Sequence, residues 1–361
     1  MDSYTIGIAR CFTEKLYYGV LSSRTGLRSE RHSTHVPPPE VTTPLGKVQG
    51  EWRISYDGRQ YAAFLGIPYA KPPIGTLRFE EPQPIEPWIG IWNATQSYIC
   101  VQRTLGPSGT IIGNEDCLYI NVFIPDTNEE KLDVVVHIHG GGFAVGSGLD
   151  YLDPKYVMDR DIVFVTFNYR LGALGFLSTE DPIMPGNNGL KDQVLALKWV
   201  QQNIASFGGD PNSITLNGFS AGAASVHLHY FSPLSKGLFH RGWSMSGTAT
   251  NDWAISINAA ERAKNLATLV GCPSSDSKNL VECLKTRPAS LLLQKTKHLA
   301  ELPLITIFAP TVDNMTKKPF LLDHPRKLLL EKNVLDVPWI TSVTRNEGIF
   351  VVASFNNFYT G

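Results

Sequence analysis

Two short runs in this sequence combine the residue types that acyl transfer needs. The first is Gly218-Phe219-Ser220-Ala221-Gly222. A serine hydroxyl becomes a nucleophile when a base takes its proton. A sharp strand-to-helix turn pushes such a serine out of the edge of a sheet, and flanking glycines permit the strained backbone and close packing that the turn requires. The helix N-terminus behind it favours negative charge developing nearby. Alone, the pattern also fits a plain Gly/Ser turn joining two elements. The second run is His139-Gly140-Gly141-Gly142-Phe143, directly after the apolar stretch Val134 to Ile138. Attack on a carbonyl builds an oxyanion that backbone N–H groups must meet, and a glycine run brings backbone to the carbonyl with no side chain in the way. Gly141, Gly142 and Ala221 are the candidate donors. Without the serine run, the glycines would read as a flexible turn. Both runs occur in hydrolase order, and together they point to acyl transfer with Ser220 as nucleophile.

Such residues work only if strands and helices hold them. Lys47 to Ile54 and Gln60 to Gly66 read as early strands, followed by a proline-rich connection from Pro68 to Pro87. Leu118 to Ile124, Asp133 to His139 and Asp161 to Asn168 are short apolar runs suited to strands covered on both faces. From Asn188 to Phe207 the spacing is helical, with Leu190, Val194, Leu197, Val200 and Ile204 on one face and Gly208-Gly209 as the stop. Ile214 to Asn217 is a strand entering the serine turn, and a helix follows to about Phe231. Ala259 to Val270 reads as a further helix and Val337 to Val343 as a late strand. This alternation predicts an α/β fold with a large, mostly parallel, twisted sheet flanked by helices.

Composition narrows the partners. The 361 residues are 43% hydrophobic and 18% charged with a formal net charge of -1, and no block of lysine and arginine offers a footprint for nucleic acid or an anionic membrane. Small neutral substrates remain open, and acyl transfer of this kind, with a small-molecule ester as the partner it would take, requires no metal or cofactor. No run of apolar residues is long enough for a transmembrane helix. Met1 to Val20 carries Arg10, Glu14 and Lys15 where a signal peptide would be uninterruptedly apolar. Residues 1–40 read as an atypical, disordered leader and 41–361 as the hydrolase domain. Of five cysteines, Cys100 with Cys117 and Cys272 with Cys283 form two close pairs that suit disulfides in an oxidising compartment or inert core thiols in a reducing one. Asn93-Ala-Thr95 and Asn314-Met-Thr316 are glycosylation sequons. Together these features favour the secretory route.

The chain resembles the type-B carboxylesterases, a family that includes the cholinesterases and several cell-adhesion proteins. The resemblance rests on the two runs above and on Glu115-Asp116-Cys117-Leu118-Tyr119-Ile120-Asn121-Val122. Asn168-Tyr169-Arg170-Leu171-Gly172, Gly186-Asn187-Asn188-Gly189-Leu190-Lys191-Asp192-Gln193 and Phe207-Gly208-Gly209-Asp210-Pro211 also match, in order. It implies an α/β-hydrolase fold, here incomplete at the C-terminus, and secretion. It implies that the two cysteine pairs are disulfides. Arg345-Asn346-Glu347-Gly348 matches the segment of the triad acid, which makes Glu347 the acid, and Ser246 takes the place of a serine supporting it. Phe219 stands where cholinesterases commonly have glutamate, and Val101 to Asp116 lacks their tryptophan for the choline cation. These departures favour a general carboxylesterase, and the run Gly218-Phe-Ser-Ala-Gly-Ala-Ala-Ser-Val-His-Leu-His229 looks most like the insect esterases. The family's histidine belongs beyond Glu347, whereas all nine histidines of this chain precede position 325. The chain as given is therefore expected to be a truncated and inactive part of a longer esterase; the alternative is a non-catalytic, cholinesterase-like binding or adhesion protein.

Non-reduced peptide mapping is expected to find Cys100 joined to Cys117, Cys272 joined to Cys283, and Cys11 free. Four free thiols in protein from a secretory host would overturn the extracellular assignment.

Overall fold

The structure, a computed structural model, describes residues 36–105, 109–150, 152–299 and 306–349. By its contacts the chain divides into Met1–Pro37 and Pro38–Gly361, and every element below belongs to the second unit. Cys11 lies outside the described residues, as does most of the expected leader.

Strands β1 (Glu40–Thr43), β2 (Gly46–Gln49), β3 (Glu51–Ile54) and β4 (Gln60–Pro68) come first. The single strand expected from Lys47 to Ile54 is thus two. At Gly50 the chain passes from one sheet to another: β2 pairs with β1 and with β5 (Ile91–Asn93), whereas β3 pairs with β4. A small ribbon of β6 (Gln102–Arg103) and β7 (Ile111–Ile112) precedes β8 (Tyr119–Pro125) and β9 (Leu132–Ile138). Then follow α1 (Pro154–Val157), β10 (Ile162–Phe167), α2 (Gly172–Phe176), α3 (Asn188–Asn203), β11 (Gly209–Phe219), α4 (Ala221–Phe231) and β12 (Arg241–Met245). The last elements are α5 (Ala259–Leu269), α6 (Ser277–Thr286), α7 (Ala289–Thr296), α8 (Pro325–Leu330) and β13 (Trp339–Ser342).

Eight strands form the central sheet in the order β13-β12-β11-β9-β10-β8-β4-β3. From β13 to β10 all neighbours are parallel, and β8, β4 and β3 continue antiparallel. The period of two along each strand sorts its side chains onto two faces. Ala62, Phe64, Val134, Val136, Val163 and Val165 join the main core with Leu190, Val194, Leu197 and Val200 of α3 and Val226 and Leu228 of α4. The alternate residues Tyr61, Ala63, Leu65, Phe123 and Phe164 form a second cluster with Met158, next to α1. Each Val, Leu, Phe or Met side chain so removed from water contributes about 1.5–3 kcal/mol. Two disulfides, Cys100–Cys117 and Cys272–Cys283, close short loops.

Two of the matched segments are joined by a buried ion pair. Arg170, after β10, donates from Nε and Nη2 to the Asp192 carboxylate of α3 at 2.8 and 2.7 Å. Its backbone N–H adds a third bond at 3.0 Å. Removing one partner of so buried a pair costs about 3–5 kcal/mol, because the other charge is stranded.

Four histidines are packed inside as neutral rings. His137 Nδ1 meets Asn217 Oδ1 at 2.7 Å, and His139 stacks on Tyr169 with centroids 4.4 Å apart. His227 stacks on Trp339 at 4.2 Å, and His229 is held between Ser235 Oγ (2.7 Å) and Gln193 Oε1 (3.0 Å). His227 and His229, both on α4, therefore face the core. Burial pushes His139 and His227 down to about 4 and His229 to about 3, and lowers His137 as well.

The sign of the pH effect follows. Above the ordinary histidine value of 6.5 neither the folded nor the unfolded chain binds these protons. Between there and about 4 the unfolded chain takes up protons that His139, His227 and His229 in the fold do not, so acid favours unfolding. Each tenfold displacement of a proton-binding constant is worth about 1.4 kcal/mol. The thermal midpoint is therefore expected to fall by several degrees between pH 7 and 4.5, measured by scanning calorimetry. A flat midpoint across that range would show that the rings are protonated in the fold.

Candidate active site

Between β11 and α4 there is one residue, Ser220. It turns the chain with φ 55° and ψ -119°, a conformation that costs a non-glycine residue about 1–3 kcal/mol. The surroundings over-determine it. Its N–H donates to Met245 O at the end of β12 (2.8 Å), and its carbonyl accepts from Ala224 N in the first turn of α4 (2.9 Å). Two residues on, Gly222 packs so closely on β9 that an added Cβ would run into Ile138 O, so only glycine lets α4 start here.

The glycine run lies against this turn: a Cβ built on Gly140 would come 2.6 Å from Phe219 O and 3.2 Å from Ser220 Cβ. Gly141, Gly142 and Phe143 have φ of 104°, 61° and 58°, and the turn is closed by Ala144 N and Val145 N donating to Gly141 O (3.1 and 3.0 Å). The Phe143 ring is buried against Phe176, with centroids 5.0 Å apart. The N–H of Ala221 opens α4, where a helix offers no acceptor of its own. Ser220, Gly141, Gly142 and Ala221 are thus brought to one end of the sheet, in an arrangement suited to meeting an acyl carbonyl.

The second group is Glu347 with Ser246. Glu347 Oε2 accepts three hydrogen bonds, from Thr344 Oγ1 (2.7 Å), Thr344 N (2.9 Å) and Ser246 Oγ (3.0 Å). These donors, the Thr344 hydroxyl foremost, hold the carboxyl below its usual range. Oε1 accepts from no described residue, which leaves it to orient a further donor. Thr344 is absent from the sequence-based candidates, although Thr-x-x-Glu is the signature of a capping box, in which glutamate reaches back to the threonine N–H. Ser246 repeats the geometry of Ser220 one strand over, with φ 57° and its N–H donating to Ser342 O of β13 (2.8 Å).

Among the described residues no side chain hydrogen-bonds Ser220 Oγ. The buried histidines are engaged as above. His240 Nδ1 accepts from Ile214 N (3.1 Å) and His324 Nδ1 from Arg326 N (3.3 Å). Among the described residues no three His, Cys, Asp or Glu side chains cluster to hold a metal, and no helix is long and apolar enough to cross a membrane. Asn93 and Asn314 are both exposed.

A family model described as the carboxylesterase family matches residues 37–360. Esterase FE4 of Myzus persicae is 47% identical over 322 residues, which cover 86% of this chain and 56% of that protein. Juvenile hormone esterase of Tribolium castaneum is 43% identical over 329 residues, covering 87% of this chain and 56% of its own. Cholinesterase of Mus musculus is 41% identical over 326 residues, 85% of this chain and 53% of that one. The chain spans somewhat more than half the length of these curated relatives. With a family match over nearly the whole sequence, and a mostly parallel sheet carrying the serine turn and glycine run at one end, this chain belongs to the carboxylesterase family and has its α/β-hydrolase fold.

Proposed function

We propose that the protein of which this chain forms the Ser220-bearing part hydrolyses small carboxylic esters through a serine acyl-enzyme. The observation that carries this reading is the single-residue turn at Ser220 with the glycine run packed against it. Ser220 Oγ attacks the acyl carbon while its proton passes to an imidazole. The N–H groups of Gly141, Gly142 and Ala221 hold the resulting oxyanion. Collapse expels the alcohol, which takes the proton from the imidazolium, and water then repeats the attack to release the acid. Glu347, with Oε2 saturated by Thr344 and Ser246, offers Oε1 to fix and charge-balance that imidazole. No described histidine hydrogen-bonds Ser220 Oγ, which supports a base from outside the described residues. The reading needs no metal or cofactor. Secretion, with glycans at Asn93 and Asn314 and the two disulfides, belongs to the same proposal, as does 41–361 as an incomplete hydrolase domain.

Two measurements test it. In a polypeptide extended to the length of its relatives, a fluorophosphonate probe is expected to label Ser220, and Ser220→Ala to abolish both labelling and turnover of nitrophenyl acetate. Labelling at another serine would show the nucleophile misassigned; no Ser220-dependent turnover would favour a non-catalytic binding protein on the same fold.

The 361-residue chain alone is expected to be nearly inert. In a serine protease, losing the base costs about a million-fold in turnover, nearly as much as losing the whole triad. If the short chain turned over at ordinary esterase rates, and lost that activity with Ser220→Ala, one of its own histidines would have to be the base.

A further inference from the structure

We propose that Gln102 and Asn168 are positioning residues of the oxyanion loop, residues 139–148, and that through them the Cys100–Cys117 disulfide sets the direction of a donor in the hole. The proposal rests on the hydrolase reading of that loop.

Both side chains are almost fully buried, and each uses both ends of its amide in the same way. Gln102 Nε2 donates to Cys100 O (2.9 Å) and Gly146 O (2.9 Å), while its Oε1 accepts from Gly146 N (2.7 Å). Asn168 Nδ2 donates to Cys117 O (3.1 Å) and Tyr98 O (2.8 Å), while its Oδ1 accepts from Gly148 N (2.9 Å). One amide therefore runs from the carbonyl of the first disulfide cysteine to the loop, and the other from that of the second. Methionine or leucine at these positions would fill similar space but strand the buried Gly146 and Gly148 N–H groups, and a net hydrogen bond of this kind is worth about 1 kcal/mol.

From Gly146 the path to the hole is short. A Cβ on Gly146 would stand 2.5 Å from His139 Nδ1 and 2.7 Å from Gly140 O, so this residue closes directly on both. His139 Nδ1 donates to Gly140 O (2.8 Å), while Tyr169, next to Asn168, holds His139 by stacking on its ring and donating its hydroxyl to His139 O (3.0 Å). Gly140 C=O and Gly141 N–H are opposite ends of one planar trans peptide. Fixing the carbonyl against His139 thus fixes where the Gly141 N–H points. The clamps hold Gly146 and Gly148, Gly146 confines His139, and His139 aims the peptide.

Hydrogen exchange on the 361-residue chain, read by mass spectrometry, tests the clamp without any activity. In Gln102→Met and in Asn168→Leu, peptides from 139–148 are expected to exchange at least about tenfold faster, while peptides from α3 stay as in the parent and report an intact fold. Ester kinetics on the extended polypeptide test the consequence. Misplacing a catalytic group costs up to about a hundred-fold, so kcat is expected to fall about tenfold or more, with KM within about twofold. Cys100→Ser/Cys117→Ser is expected to act in the same direction and to add little to the two amide substitutions combined, as for groups working in series. Unchanged loop exchange would overturn the clamp. Faster exchange with unchanged kcat, or a change confined to KM, would overturn the positioning role. Absence of Ser220-dependent turnover in the unsubstituted extended polypeptide would instead sink the hydrolase reading and with it the catalytic half of this proposal, while the exchange result would still decide whether the loop is clamped.

Discussion

Everything at the carboxyl end of this sheet follows from one constraint: β11 must become α4 within a single residue. A non-glycine backbone at φ 55° does not hold by itself, so its neighbours have to enforce it. The means are the bond from Ser220 N to Met245 O, the helical bond back to Ser220 O from Ala224, and the seating of Gly222 on β9. The same device recurs on the next strand, where Ser246, at φ 57°, donates its N–H to Ser342 O. Strand by strand, the ends of β11, β12 and β13 are hydrogen-bonded in a stair that starts at the nucleophile candidate. Its last step is Ser246 Oγ donating to Glu347. The relation of Glu347 to Ser220 is thus carried by backbone register.

Much of this was legible in the sequence because it is local. Gly-x-Ser-x-Gly after an apolar run specifies its own turn, and the apolar spacing from Leu190 to Ile204 specifies α3, which the structure ends at Asn203 before a short 3-10 turn. What depends on pairing was less visible. Nothing in Lys47 to Ile54 says that its two halves join different sheets, and strand direction, antiparallel for β8, β4 and β3, leaves no mark on an apolar run. β12 is hard to read because its inward residues are not its apolar ones: Gly242 and Ser244 are buried while Arg241 and Trp243 face out. The roles of Gln102 and Asn168 were out of reach for a different reason. A buried amide is recognised by the backbone groups around it, and those come from segments as far apart as Tyr98 and Gly148. Thr344 was within reach, since its capping box with Glu347 is written in four residues.

The electrostatics of the chain divide along the same lines. The interior excludes charge wherever it lacks an exact partner: four histidines are kept neutral by burial, and the Arg170–Asp192 pair is tolerated because the guanidinium and a backbone N–H satisfy the carboxylate directly. Glu347 is the opposite case, an exposed carboxylate whose ionised form is favoured by donors placed on one oxygen only. An acid held this way keeps its charge and its direction at once, which is what a partner imidazole needs from it.

Rigidity is not shared evenly between the two halves of the site. The proposed oxyanion donors sit on segments whose freedom is removed three times over, by the start of α4, by the closed glycine turn, and by two buried amides anchored to a disulfide. Preorganised donors lower a barrier because they need not move when charge develops. Glu347, the proposed acid, has no such backing. It stands on a four-residue turn after β13, at an end of the sheet where Trp243, Ile340 and Val343 are 43%, 64% and 72% exposed, and its hold on the stair is one serine hydroxyl. Apolar surface left open at a sheet edge is a place for further packing. The geometry of Glu347 is therefore the property of this proposed site most sensitive to whatever packs on β12 and β13, whereas the Ser220 turn and the glycine turn are fixed by contacts the described chain already makes.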